Sequence, residues 1–300
     1  MTWWQVLRLW EWRWEVVLPL AVLGYLYFRG WKGLRQRGSR QSASPRRLAA
    51  YWTGLFLIFL ALVSPIAPLS QYLFSVHMVQ HMLLIMFAPP LLWLANPMPV
   101  FLWALPRPQR RHWGLGIFGP QAAFRRYLKA LTTRKIAWMA FIAIYIGWHD
   151  PNLYSLALAY PRLHDVQHLT YFAAAMLYWW HVTNAGPRIH GRFSFPSRLV
   201  YLLSAVPVNM VTGLAIAFAK VPMYAYYRTV PRYFSLSVLD DQRLAGMVMW
   251  IFGNMMLIYA ALVFVARYIS QEERKTARHP YHLGTEARMR APGWEESGSS

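Results

Sequence analysis

The sequence predicts an all-α integral membrane protein: a bundle of about seven transmembrane helices, N-terminus outside and C-terminus in the cytoplasm. Three observations carry this. Of the 300 residues, 57% are hydrophobic and only 14% charged, against roughly a quarter charged in a soluble domain. The 16 Trp and 18 Tyr suit the aromatic belts of a membrane interface. Lys and Arg fall in short clusters between long apolar runs, so the net charge of +20 reads as topology and not as nucleic-acid binding. The chain has no Cys, which excludes disulfides, iron–sulfur clusters and thiolate metal sites.

The spans follow from the need for roughly 20 apolar helical residues to cross a core of about 30 Å. Seven runs qualify: 14–29, 50–69, 74–96, 134–149, 164–184, 198–219 and 246–267. A Trp-rich outer segment, 1–13, precedes the first. It lacks the clean apolar core and small-residue cleavage site of a removable signal peptide. The 30–47 linker is rich in Ser, Gly and Arg and is expected to be flexible. The third span contains Pro89-Pro90 and the sixth Pro207, so neighbouring helices or water must satisfy the carbonyls these prolines free. The fourth is the shortest, uncharged only over 136–149. The seventh opens on LDDQRLAGMVMW (239–250). There Asp240 or Asp241 can cap the helix, and Gly246 and Gly253 permit close helix approach. The transmembrane domain is expected to occupy 14–269, and the polar tail 270–300 to be disordered.

Charge sets the orientation. The 29–47 linker, the 107–135 segment, the 188–198 loop and the tail from Arg267 hold 24 of the 31 Lys and Arg. The other seven, Arg8, Arg13, Arg162, Lys220, Arg228, Arg232 and Arg243, fall on the opposite side. The positive-inside rule makes the richer side cytoplasmic. All four Asp then lie outside, with His77, His81, His149, His164 and His168.

HMVQH (77–81) and HDVQH (164–168) are two HxxxH pairs sharing a central Val-Gln. Residues i and i+4 lie about 6 Å apart on one helix face, so such a pair can chelate one ion. Two pairs on packed helices offer up to four nitrogens, suited to copper, zinc, iron or nickel. Histidines at an interface, bonded to backbone or water, are the plainer alternative. Met78, Met82 and Met86 continue the four-residue spacing beside them. Their thioethers favour Cu(I), but methionine is also a good filler of irregular core gaps. Asp165 is placed either to orient an imidazole from outside the ligand set or to favour a helix N-terminus. His181 lies near the cytoplasmic end of the fifth span, and His112, His190, His279 and His282 lie in cytoplasmic loops or the tail; none receives a role.

The stretches LFSVHMVQHMLLIMFAPPLLWLANP (73–97), WHDPNLYSLALAYPRLHDVQHLTYFAAAMLYWW (148–180) and LDDQRLAGMVMWIFGN (239–254) resemble the seven-span CtaG family, linked to assembly of caa3-type cytochrome c oxidase. The resemblance covers about 50–268, and its motifs arrive in order at matching helix ends. A single-span, cysteine-bearing copper chaperone shares the name, and this cysteine-free chain is not of that type. The resemblance implies a non-enzymatic factor of the cell (inner) membrane. Its partners would be cytochrome c oxidase subunits and membrane lipid, with copper as the metal handled on the outer side, where the oxidase copper centres lie. The matching positions are His77, His81, His149, His164, His168, Asp241 and Gln242. Di-iron membrane enzymes also use histidine boxes, but of HxxHH type and on the cytoplasmic side, and the chain has neither. A haem-binding electron-transfer protein with one ligand from each box and a membrane copper transporter are the other readings.

Overall fold

The computed structural model describes residues 4, 8–117, 119, 122–187, 189–191, 193–232 and 234–278. Among these residues the regular structure is helical and no strand occurs. The principal helices are α1 (Trp14–Gln36), α2 (Pro45–Val63), α3 (Phe74–Leu94), α4 (Pro97–Ala104), α5 (Ala123–Leu131), α6 (Arg134–Trp148), α7 (Pro151–Ala159), α8 (Pro161–Thr183), α9 (Phe195–Ala217) and α10 (Val238–Arg274).

Four of them, α2, α3, α9 and α10, are long and apolar enough to cross a membrane. They coincide with the second, third, sixth and seventh expected spans. The remaining three spans are helices with mixed character. α1 carries Arg29, Lys32 and Arg35 in its second half, α6 has only 15 residues, and the first turns of α8 hold Arg162, His164, Asp165 and His168.

Two expectations at the boundaries change. The 30–47 segment is not a long linker, because α1 runs on to Gln36 and Ser44 already caps α2, accepting from the Arg47 amide at 3.4 Å. Only a short connection remains, with Ala43 fully buried in it. At the other end the helix of α10 continues past 269, its last stretch Asn254–Arg278 outrunning the apolar span Val238–Arg274, as its polar residues are good helix formers. The rest of the tail, with His279 and His282, lies outside the described residues.

The prolines are handled as the membrane setting requires. Pro89 has no N–H for the Ile85 carbonyl, and α3 widens to a π-helical turn over Leu83–Phe87. The freed Ile85 carbonyl accepts instead from the Trp179 indole of α8 at 2.9 Å. α9 breaks at 204–205, just before Pro207, where the Tyr178 hydroxyl donates to the Leu202 carbonyl at 2.9 Å. Neighbouring residues of one helix thus repair two others. α10 has its own π turn, Val248–Gly253. There Asn209 of α9 donates to the Met249 carbonyl at 3.0 Å and to Asn254 Oδ1 at 2.8 Å, while accepting from Tyr145 of α6 at 2.8 Å.

Close packing uses glycine at Gly246, as expected, and also at Gly30, inside the stretch read as a flexible linker. A methyl group on Gly246 would collide with the backbone of α9 at Gly213 and Ala217, and one on Gly30 with the Val100 carbonyl of α4. These contacts hold α10 against α9 and α1 against α4. They leave α8 in the middle, in contact with α3, α6 and α7.

Candidate metal centre

The first turns of α3 and α8 meet at one end of the bundle. His77 and His81 face each other along α3, their Nε2 atoms 2.8 Å apart. His164 and His168 lie likewise on α8, with ring centroids 4.2 Å apart. Across the helix pair the His77 ring lies 5.1 Å from His164 and 6.0 Å from His168, and His81 lies 5.3 Å from His168. His77, His164 and His168 each present a ring nitrogen within 4.8 Å of the other two. All four imidazoles are buried.

Hydrogen bonding assigns the protons. Tyr227, in the loop between α9 and α10, places its hydroxyl 2.9 Å from the Ser70 carbonyl and 3.0 Å from His77 Nδ1. Burial pushes this phenol well above the ordinary tyrosine range, so it keeps its proton. A carbonyl only accepts, so that proton goes to Ser70 and the phenol oxygen accepts from His77 Nδ1–H. His77 Nε2 then carries the lone pair and accepts from His81 Nε2–H at 2.8 Å. His149, the residue after α6, donates from Nδ1 to the Tyr145 carbonyl at 2.6 Å, which leaves its Nε2 bare. The other ring partners are tyrosines: Tyr154 stands 5.2 Å from His77 and Tyr171 4.9 Å from His81, centroid to centroid.

The cluster leaves nitrogen unsatisfied. His81 Nδ1, His149 Nε2, His164 Nε2 and both ring nitrogens of His168 are buried without a hydrogen-bond partner. Each such atom costs about 1–3 kcal/mol. A neutral imidazole offers one lone pair, so His164 and His168 add one nitrogen each to that of His77, a three-nitrogen set that fits a soft or borderline cation with nitrogen preference.

The remaining candidates take other positions. Asp165 turns outward and pairs with Arg13 at 2.7 Å, at a half-exposed site, because it follows His164 by one residue and lies about 100° around the helix. Its hydrogen bond among the described residues goes to this arginine and not to an imidazole. Asp241 does not cap its own helix, since Ser237 does that by accepting from the Asp240 amide. Instead its carboxylate accepts from the Phe74 and Ser75 amides at 2.8 and 3.0 Å and from the Ser75 hydroxyl at 2.6 Å. It thus caps α3, the helix that carries His77, from the neighbouring helix, a favourable place for negative charge. Gln242 ties down the start of the α9–α10 loop, accepting from the Met223 amide at 2.6 Å and donating to the Ile216 and Val221 carbonyls. Met78 and Met82 are buried in the core. His181 bonds the Thr132 carbonyl at 2.8 Å, at the far end of α8.

Sequence reasoning missed Tyr227 and Gln167. Gln167 is fully buried with neither amide atom partnered, and the Val-Gln common to both histidine boxes was its signal. Gln80, its counterpart, donates to the Ala61 carbonyl at 2.7 Å. No local pattern marks Tyr227.

The family described as cytochrome c oxidase caa3 assembly factor matches residues 25–271, a wider stretch than the motifs alone suggested. Uncharacterised proteins of Mycobacterium bovis and Mycobacterium tuberculosis are each 27% identical over 287 residues, covering 92% of this chain and 42% of their own. One of Mycobacterium leprae is 25% identical over 282 residues, covering 90% and 41%. The chain therefore spans about two fifths of the length of these relatives. No solved structure matches it.

Proposed function

The chain belongs to the cytochrome c oxidase caa3 assembly-factor family, and from that premise we propose that it is a non-enzymatic membrane factor that holds copper as cargo for the oxidase at its histidine centre. His77, His164 and His168 are the ligands, with His81 and His149 as neighbours that receive or release the ion. Oxidase subunits are the recipients, and the site faces the extracytoplasmic side of the cell membrane. The observation that carries the reading is the set of buried, partnerless imidazole nitrogens on two packed helices.

The chemistry needed here is modest. Neutral imidazoles offer lone pairs suited to copper. Tyr227 and the Tyr145 carbonyl hold His77 and His149 in the tautomer that presents Nε2. Such outer hydrogen bonds fix ring direction and raise ligand basicity.

The test compares His77→Ala and His168→Ala with Met82→Leu. Copper affinity of the purified proteins is measured by competition with a chromophoric chelator, and membrane abundance and oxidase maturation are followed in cells. Both histidine variants should accumulate normally, bind copper at least 10-fold more weakly and fail to mature the oxidase, while Met82→Leu behaves as wild type. Normal maturation in both histidine variants sinks the proposal. Failure of Met82→Leu alongside them makes the thioether a ligand.

A further inference from the structure

The end of the bundle away from the histidines holds a cavity of about 1140 Å³. Its walls come from helix ends: the start of α2, the end of α3, the residues after α8 and the last turns of α10. From His77 to Leu94, along α3 alone, is about 25 Å, so this cavity is separate from the metal centre.

Its lining is strongly basic. Arg46, Arg47, Arg110, Arg125 and Arg267 border it, and no Asp or Glu does among the described residues. Arg110 is held in place, its guanidinium stacked 4.1 Å over Trp103, whose ring also takes Arg37 at 4.7 Å. Arg47 is half-buried and bonds the Ser42 carbonyl at 3.3 Å. Arg46, Arg47, Arg110 and Arg267, gathered without a lining carboxylate among the described residues, repel one another, and a multiply charged oxyanion relieves that repulsion through paired N–H donors.

A second feature adjoins it. An apolar groove of about 270 Å³ runs between α1 and α4, lined by Leu23, Leu26, Phe101 and Leu105. Met98 and Leu102 line both the groove and the basic cavity. A free phosphate has no use for such a groove, whereas an acyl chain does.

We infer that the basic cavity and the groove together bind one anionic phospholipid, its headgroup phosphate among the arginines and an acyl chain along α1 and α4. This goes beyond the metal reading and does not depend on it. Arg47 and Arg110 grip the phosphate, Arg46 and Arg267 form the rim, and Trp103 keeps Arg110 extended.

The full-length protein is purified in neutral detergent and its melting temperature measured with added phosphatidylglycerol, with phosphatidylcholine, or with inorganic phosphate plus glycerol 3-phosphate. Ligand held by the folded state alone raises the midpoint. Phosphatidylglycerol should raise it by several degrees, and the other two should not. The shift should vanish in R47Q/R110Q, shrink in R46Q/R267Q, and survive in R126Q/K129Q, which removes the same charge from α5 outside the cavity. If R47Q/R110Q does not fold, the rim pair carries the comparison. Equal shifts with phosphatidylcholine, a full shift with soluble phosphate, or an equal loss in R126Q/K129Q overturn the lipid site.

Discussion

At the scale of single residues, the centre depends on which nitrogen of each imidazole is bare, and Tyr227 decides this for His77. Tyr227→Phe removes the oxygen that accepts from Nδ1–H. His77 is then free to shift its proton to Nε2, the atom aimed at the cluster. Copper affinity should fall about 10- to 100-fold, the usual effect of losing such an outer partner. Imidazole ¹⁵N chemical shifts should show the tautomer change in the metal-free protein, which a purely structural role for the phenol does not cause. An unchanged tautomer with unchanged affinity removes Tyr227 from the argument. The histidines of this site were legible because an i, i+4 pair repeated twice is visible in a string of letters. Tyr227 was not, since it lies 150 residues from its partner. Asp165 was left between two readings for the opposite reason: adjacency in sequence to His164 does not show that it lies on another face of the helix, against Arg13.

Helices are the scale at which the sequence was most readable. Long apolar runs located the helices and the basic clusters marked their ends, and each expected span falls mainly on a helix, the second running past the end of α2 at Val63. Composition proved a poorer guide to the boundaries. A Ser-, Gly- and Arg-rich run does not reveal that α1 extends to Gln36, because basic residues are good helix formers. The π turn of α3 was also invisible, since it arises from the conflict between Pro89 and the helix ladder and from the neighbour that resolves it. That conflict gives a prediction for α3. Trp179→Phe keeps most of the ring and removes the donor to the Ile85 carbonyl. A buried carbonyl left unpaired costs about 1–3 kcal/mol. The variant should unfold earlier in a denaturant series in detergent, with faster amide exchange confined to the π turn and the residues after it. Trp52→Phe, at a half-exposed surface position of α2, should leave both unchanged. If the two variants behave alike, the indole bond is not what stabilises the broken helix.

Across the whole molecule, the two ends differ in chemistry. One gathers the histidines, and the other a basic cavity flanked by the loops that hold most of the Lys and Arg. Translocating clustered basic residues is disfavoured, so the positive-inside rule predicts the basic end in the cytoplasm and the histidine end outside. The absence of native Cys makes every introduced one a unique reporter. Ser39→Cys, between α1 and α2, and Ser194→Cys, just before α9, stand at exposed positions of the basic end. Asn152→Cys, at the start of α7, and Ser235→Cys, just before α10, are exposed at the histidine end. In intact cells an impermeant maleimide should label the second pair and spare the first until the membrane is opened. Agreement within each pair also tests α6 and α8, whose polar turns leave their passage through the bilayer to be decided by the alternation of the loops. Ser194→Cys sparing together with Asn152→Cys labelling requires that α8 cross, because the short α7 cannot. The reverse pattern in all four places the histidine centre in the cytoplasm, away from the oxidase copper centres. The cargo reading then fails, while the lipid site is moved to the other leaflet and stands or falls on its own titration.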